Sequence, residues 1–239
     1  MKYFKLIERD VVVVPMLREI QAHPEGWTLD TGRQNDLGVQ RETQSIHLRF
    51  HGHNFTGDHK ATQTVPFSYI GCPTPIAGLF PRTSAWIDEF IKRMRGRAGR
   101  ASIVRLGPHS QVHRHIDGRL YYDLRHRYHL VVKSVEGSLL RASNEEVRMM
   151  EGEVWWFDNQ VPHEAFNNSD EDRIHVIFDI LSLRSLGYFF FHAVLWRYPR
   201  LLLGKVVRLS KYRGQRLVRN SQLGGQVLSP ERTRPKPAD

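Results

Sequence analysis

Cysteine is almost absent from this chain: Cys72 stands alone among 239 residues. It cannot close an internal disulfide, and no cluster of thiolates can bind a metal. A reducing compartment, the cytoplasm, is the expected location. Long apolar runs are missing too, and no stretch approaches the ~20 residues that cross a bilayer. Lys5, Glu8, Arg9 and Asp10 interrupt the first residues, which excludes the apolar centre of a signal peptide there. Neither an internal repeat nor a recognisable nucleic-acid-binding module can be read.

Acidic residues are scarce in one region. Over 197–239, eleven Lys and Arg face only Glu231 and Asp239, so this segment carries +9 of the net +10. The body is close to neutral, and any contact with phosphate or anionic lipid belongs to the tail. Tyr188, Phe189, Phe190, Phe191 and Trp196 precede that tail. Such a segment suits a helix packed on the domain or on a second subunit, or peripheral contact with a membrane surface. Nucleic acid is disfavoured as a partner.

What is present describes one β-rich core. Val11 to Val14 reads as a short strand stopped by Pro15, with a short helix from Pro15 to His23. Thr43 to Gly52 alternates: Ile46, Leu48 and Phe50 on one side; His47, Arg49 and His51 on the other, either solvated or reaching a substrate. Residues 53–82 are rich in turns. Ser84 to Arg97 has a helical stripe of Trp86, Phe90, Ile91 and Met94, a cap at Thr83 or Ser84, and Gly96 and Gly99 after it. Short strands are then expected at Ser102–Leu106, Tyr128–Lys133, Ser138–Ala142, Glu153–Phe157, His163–Asn167 and Arg173–Leu181. Their spacing suggests a sandwich or barrel. Trp155 and Trp156 point to opposite faces, both most simply as packing.

The chemistry concentrates between His113 and Asp179. In a strand, residues two apart share a face, so His115 and Asp117 would emerge side by side. His163 follows a turn at Pro162. Two imidazoles and one carboxylate form the facial triad of non-haem Fe(II) oxygenases, which leaves positions for a chelating cosubstrate and O2. Zinc is the alternative metal. His-x-Asp alone is a weak signal in a chain with 13 histidines. Arg173 strengthens it, because a guanidinium holds a carboxylate bidentately, as the distal carboxylate of 2-oxoglutarate requires. Read by itself, Arg173 would simply pair with Asp170 or Asp172 at the surface. His109, His113 and His126 compete as ligands but have no carboxylate at the matching offset; His175 shares the Arg173 face.

Glu151-Gly-Glu-Val-Trp-Trp-Phe-Asp158, His163-Glu164, Arg173-Ile-His-Val-Ile-Phe-Asp179 and Arg125-His-Arg127-Tyr-His129-Leu occur in one order and spacing. This stretch, about 101–183, resembles the aspartyl/asparaginyl β-hydroxylase family. The resemblance implies a mainly β fold with flanking helices, built on a double-stranded β-helix (jelly roll, cupin-like). It implies Fe(II), 2-oxoglutarate and O2, and hydroxylation of an unactivated C–H bond of an amino acid, a peptidyl residue or a related small molecule. Arg173, Arg127 and His129 would contact 2-oxoglutarate. The animal enzyme of the family has glycine where this chain has Asp117, which turns the expectation away from protein aspartate. Within 118–124, Tyr121 and Tyr122 would form part of a substrate wall. Lipid acyl-chain hydroxylases are similar as well, and a non-enzymatic jelly-roll module that binds a metal or an acidic ligand is the competing reading. The expected organisation is an oxygenase domain over 1–183, a helical extension over 184–212 and a basic tail over 213–239, with oligomerisation left open.

Overall fold

The computed structural model describes residues 1–29, 38–50, 70–118 and 120–191. The chain runs β1 (Phe4–Glu8), α1 (Val14–Ala22), β2 (Thr43–Phe50), β3 (Cys72–Pro73), α2 (Pro81–Arg93), β4 (Arg97–Leu106), β5 (Ser110–His115) and α3 (Leu120–Asp123). It continues through β6 (His126–Lys133), β7 (Ser138–Ala142), β8 (Glu145–Val147), β9 (Val154–Phe157), β10 (His163–Asn167), β11 (Arg173–Leu181) and α4 (Leu183–Tyr188). Residues 1–189 form one compact unit and 190–239 another. The basic tail over 213–239, most of the expected helical extension and the turns over 51–69 lie outside the described residues.

Two antiparallel sheets face each other. The larger has the order β1-β9-β6-β11-β4-β2-β3, the smaller β5-β10-β7-β8. From β4 onward the chain crosses repeatedly between them, and this crossing makes the jelly roll that the resemblance implies.

The middle strands of the large sheet are buried on both faces, each for its own reason. Tyr128, Leu130 and Val132 of β6, with Ile174, Val176 and Phe178 of β11, meet Ile87, Phe90 and Ile91 of α2 and Met16 and Ile20 of α1 in one apolar cluster. The opposite face of the same strands carries Arg127, His129, Arg173 and His175, all buried. It looks toward the small sheet, and Leu106, Val131 and Phe157 of the large sheet with Leu140 and Ala165 of the small one build a second cluster. Alternation of period two therefore separates a helix-packed face from a polar interior face.

Several local expectations need correction. Val11 to Val13 is not a strand, because α1 begins at Val14 with Pro15 in its first turn and Val13 turns into the core. The strand near the start is β1, paired with β9. The best helix begins at Pro81, since proline suits the first helical turn. It has no side-chain cap of its own. Instead Glu19 of α1 accepts from Arg82 N at 2.5 Å, Thr83 N at 3.0 Å and Thr83 Oγ1 at 2.8 Å. Gly99 lies inside β4, where a Cβ would meet the Tyr121 hydroxyl at 2.6 Å and Asp179 O at 2.8 Å. The face of β2 that holds His47 is not solvated: His47 is buried and bonded to the Ser102 hydroxyl at 2.7 Å. β8 carries no sequence signal of its own, and β5 ends at His115, short of the strand that the His115–Asp117 spacing suggests.

Candidate metal centre

His163 of β10 pairs directly with His115, the last residue of β5. The His115 Nδ1 lies 2.7 Å from His113 O, and the His163 Nδ1 lies 2.9 Å from Val161 O. A backbone carbonyl can only accept, so both Nδ1 atoms carry the proton and both Nε2 atoms keep a lone pair. Those lone pairs meet Asp117: Nε2 of His115 is 3.7 Å from Oδ1, and Nε2 of His163 is 3.9 Å from Oδ2. One donor atom from each of the three lies within 4.8 Å of the others. Two neutral imidazoles and a carboxylate on one cation make a donor set that fits Fe(II).

Asp117 is not on a strand, contrary to the expectation from its spacing. It follows β5 in a loop, and its neighbours there fix it. Its N–H donates to Asn159 O at 3.1 Å, and its Oδ2 accepts from Asn159 Nδ2 at 3.1 Å and Arg127 Nη1 at 2.5 Å. Burial would raise its carboxyl, but the Arg127 guanidinium above all outweighs that and brings it down to about 2.

A cavity of about 550 Å³, its open mouth included, is lined by His115 and His163 together with Arg127, His129 and Arg173, and by Leu106, Leu140, Phe157 and Ile177. Arg173 is 7% exposed, and its Nε has no partner among the described residues. Its expected surface partners are engaged elsewhere: Asp172 with Arg105 and Asp170 with His109. Among the described residues it forms no ion pair. Burial lowers it to about 10, so it keeps its charge at neutral pH. Beside it His129 and His175 approach Nδ1 to Nδ1 at 3.2 Å, and Arg173 Nη2 is 3.3 Å from the His175 Nδ1. Burial first, then the adjacent arginines, push both imidazoles well below their ordinary range and keep them neutral. Their Nε2 atoms are buried without partners among the described residues. A buried cation that has no counter-ion among the described residues is costly until an anion arrives.

The competing histidines stay apart. His113 is exposed, 4.0 Å from Glu42, and His109 is exposed on Asp170. His126 is buried among the rings of Tyr128, Trp156 and Tyr188. Tyr121 is no cavity wall: it is buried, and its hydroxyl donates to Asp179 Oδ2 at 3.1 Å. Tyr122 lies under the Arg127 guanidinium, 4.8 Å from ring to carbon. Trp155 packs in the inter-sheet cluster and Trp156 against the helix-side one. Asp179 and Asn159 were not singled out from sequence. Asp179 was accessible by alternation, since it shares a strand face with Arg173 and His175; Asn159, in a loop, gave no signal.

The profile of the aspartyl/asparaginyl beta-hydroxylase family matches residues 48–182. Among solved structures the chain is similar to a viral collagen prolyl hydroxylase from Paramecium Bursaria Chlorella virus-1, solved as a 2OG complex. That match has 12% identity over 76% of this chain and 96% of that one, with a TM-score of 0.45. It is similar to a Pseudomonas putida prolyl-4-hydroxylase at 13% identity over 75% and 92%, with a TM-score of 0.47. It is also similar to a Trichoplax adhaerens prolyl hydroxylase in complex with a hypoxia inducible factor peptide fragment, at 13% identity over 77% and 86%, TM-score 0.49. The profile match spans more than half of the chain and contains every residue of the centre just described; the chain belongs to the aspartyl/asparaginyl β-hydroxylase family and is an Fe(II)- and 2-oxoglutarate-dependent hydroxylase.

Proposed function

We propose that His115, Asp117 and His163 hold the iron, that Arg173 anchors the distal carboxylate of 2-oxoglutarate, and that the enzyme hydroxylates an unactivated C–H bond of an amino acid or peptidyl residue. The observation that supports this is the meeting of two features in one cavity. Three donor atoms lie within 4.8 Å of one another, and a buried guanidinium beside them has no carboxylate of its own among the described residues.

When bound, Fe(II) with 2-oxoglutarate and O2 supplies the oxidising power for the C–H bond. The chain supplies geometry. Both imidazoles are held in the Nε2-presenting tautomer by backbone carbonyls. The Arg173 fork matches a carboxylate and stays charged through neutral pH. His129 stands beside it, with His175 behind, to orient the cosubstrate. Leu106, Leu140 and Phe157 exclude water from the cavity. No helix among the described residues is long and apolar enough to cross a membrane. With Cys72 as single, exposed thiol, the chain suits the reducing cytoplasm.

The test is 2-oxoglutarate turnover. Succinate should form when Fe(II), 2-oxoglutarate and air are supplied with a panel of free and peptidyl amino acids. Under argon, Fe(II) and 2-oxoglutarate together should give a visible charge-transfer band. D117A and H163A should lack both signals. Full turnover in both variants would sink the assignment.

A further inference from the structure

The resemblance gives Arg127 to the cosubstrate, yet its guanidinium is already committed. Nη1 donates to Asp117 Oδ2 at 2.5 Å, while Nε and Nη2 form a fork on Asp179 Oδ1 and Oδ2 at 2.9 and 3.1 Å. Asp179 is 2% exposed and takes a further hydrogen bond from the Tyr121 hydroxyl. On the other side Asn159 donates to the same Asp117 Oδ2 and accepts from the Asp117 N–H. Asp117 has left the sheet, so no ladder fixes it; these two residues do.

The consequence lies in the two oxygens of Asp117. Oδ2 has two donors. Both oxygens face the donor set, Oδ1 at 3.7 Å from the His115 Nε2 and Oδ2 at 3.9 Å from the His163 Nε2, but Oδ1 has no hydrogen-bond donor among the described residues. We propose that Arg127 is a positioning residue for Asp117, anchored by Asp179, and that together with Asn159 it commits Asp117 to the metal through Oδ1 alone. This rests on the reading that His115, Asp117 and His163 hold the iron.

Two physical effects follow. A carboxylate free to swing can chelate through both oxygens and take a position that the cosubstrate or O2 needs; two hydrogen bonds on Oδ2 oppose that swing. Charge is the second effect. A buried arginine touching a ligand carboxylate would cancel the negative charge that attracts the cation. The Asp179 carboxylate offsets Arg127, so Asp117 keeps its charge for the metal.

Metal affinity, measured apart from turnover, tests this. Mn(II) binding is titrated calorimetrically under argon with the wild-type chain, R127Q, D179N, the R127Q/D179N double variant and N159A. Melting curves report folding. D179N and N159A remove single groups without changing the sheet, so they carry the test if R127Q does not fold. We expect each single variant to bind Mn(II) about 10–100-fold more weakly, and the double variant to bind no worse than the weaker single, because one network is broken once. The 2-oxoglutarate affinity at saturating Mn(II) should change by less than about twofold. In the Co(II) form, N159A should lower the visible absorption intensity as Oδ2, left with Arg127 as its one donor, turns toward the metal. If R127Q instead loses 2-oxoglutarate affinity with Mn(II) binding intact, Arg127 is a cosubstrate contact and the proposal fails. Unchanged affinities for both ligands overturn it equally. If D117A binds Mn(II) like the wild type, the metal centre itself is misassigned, a failure separate from that of the positioning network.

Discussion

His163 sits opposite His115 across the β10–β5 ladder, with their rings 4.3 Å apart. Two residues upstream of each, a carbonyl takes the Nδ1 proton. The pair is therefore set to present two Nε2 lone pairs before any ion arrives. Replacing either imidazole by glutamine keeps a polar side chain of similar reach but breaks this arrangement. H115Q and H163Q should each weaken Mn(II) binding at least about 100-fold and abolish succinate formation. Circular dichroism of both variants should match the wild type. Calorimetry that finds Mn(II) affinity within a few-fold would remove that histidine from the donor set.

The strand part of the site was legible in sequence because strands announce their faces. Arg173, His175 and Asp179 lie on one face of β11, and Arg127 and His129 on one face of β6, by simple alternation. β10 and β11 have the expected bounds, His163–Asn167 and Arg173–Leu181. What failed is loop geometry and long-range capping. Asp117 reaches the centre from a loop held by Asn159, 42 positions away; spacing alone placed it on a strand. Helix α2 is capped by Glu19, some sixty residues upstream, and no local pattern encodes that. Gly99 looked like a helix stop because glycine commonly ends helices. Its actual role is to let the Tyr121 hydroxyl and the β11 backbone approach β4. Close approach from distant segments leaves no periodic trace.

Removing the Glu19 carboxylate isolates the capping effect. E19A deletes three hydrogen bonds that satisfy the start of α2. The variant should be about 1–2 kcal/mol less stable in urea titrations. Turnover at a temperature where it stays folded should be unchanged, since α2 packs on the face of the sheet away from the cavity. An unchanged denaturation midpoint would show that water caps α2 equally well.

Arg173 should trade stability against binding. Its guanidinium is buried, charged and without an ion pair among the described residues. R173M replaces it with an apolar chain of similar length. The ligand-free variant should be about 1–3 kcal/mol more stable than the wild type, because the unpaired buried charge is gone. Its affinity for 2-oxoglutarate should fall by about 100-fold or more with loss of the charge-assisted pair. Thermal melts with and without 2-oxoglutarate in the presence of Mn(II) read both effects. The cosubstrate should raise the wild-type midpoint and leave R173M unmoved. A destabilised R173M that still binds 2-oxoglutarate would make Arg173 a packing residue.

Acid sensitivity should have an identifiable source in His126. Its ring is buried among Tyr128, Trp156 and Tyr188, and Nε2 has no partner among the described residues. Burial, followed by repulsion from Arg184, lowers it from 6.5 to about 4. In the folded chain it thus stays neutral to about pH 4, whereas the unfolded chain takes up a proton below 6.5. A depressed folded value means that its stabilisation is complete above pH 6.5 and is lost as the pH falls toward 4. Linkage puts the loss from this one group at about 2 kcal/mol between pH 7 and pH 5. H126F keeps the ring and removes the titration. Urea denaturation of both proteins at pH 7 and pH 5 should give the wild type the larger decrease, by about 2 kcal/mol. Carboxylates such as Asp117 contribute to both proteins alike and cancel in the comparison. Equal decreases would mean that the folded chain accommodates a protonated His126, and that the ring cluster opens to water more readily than its packing implies.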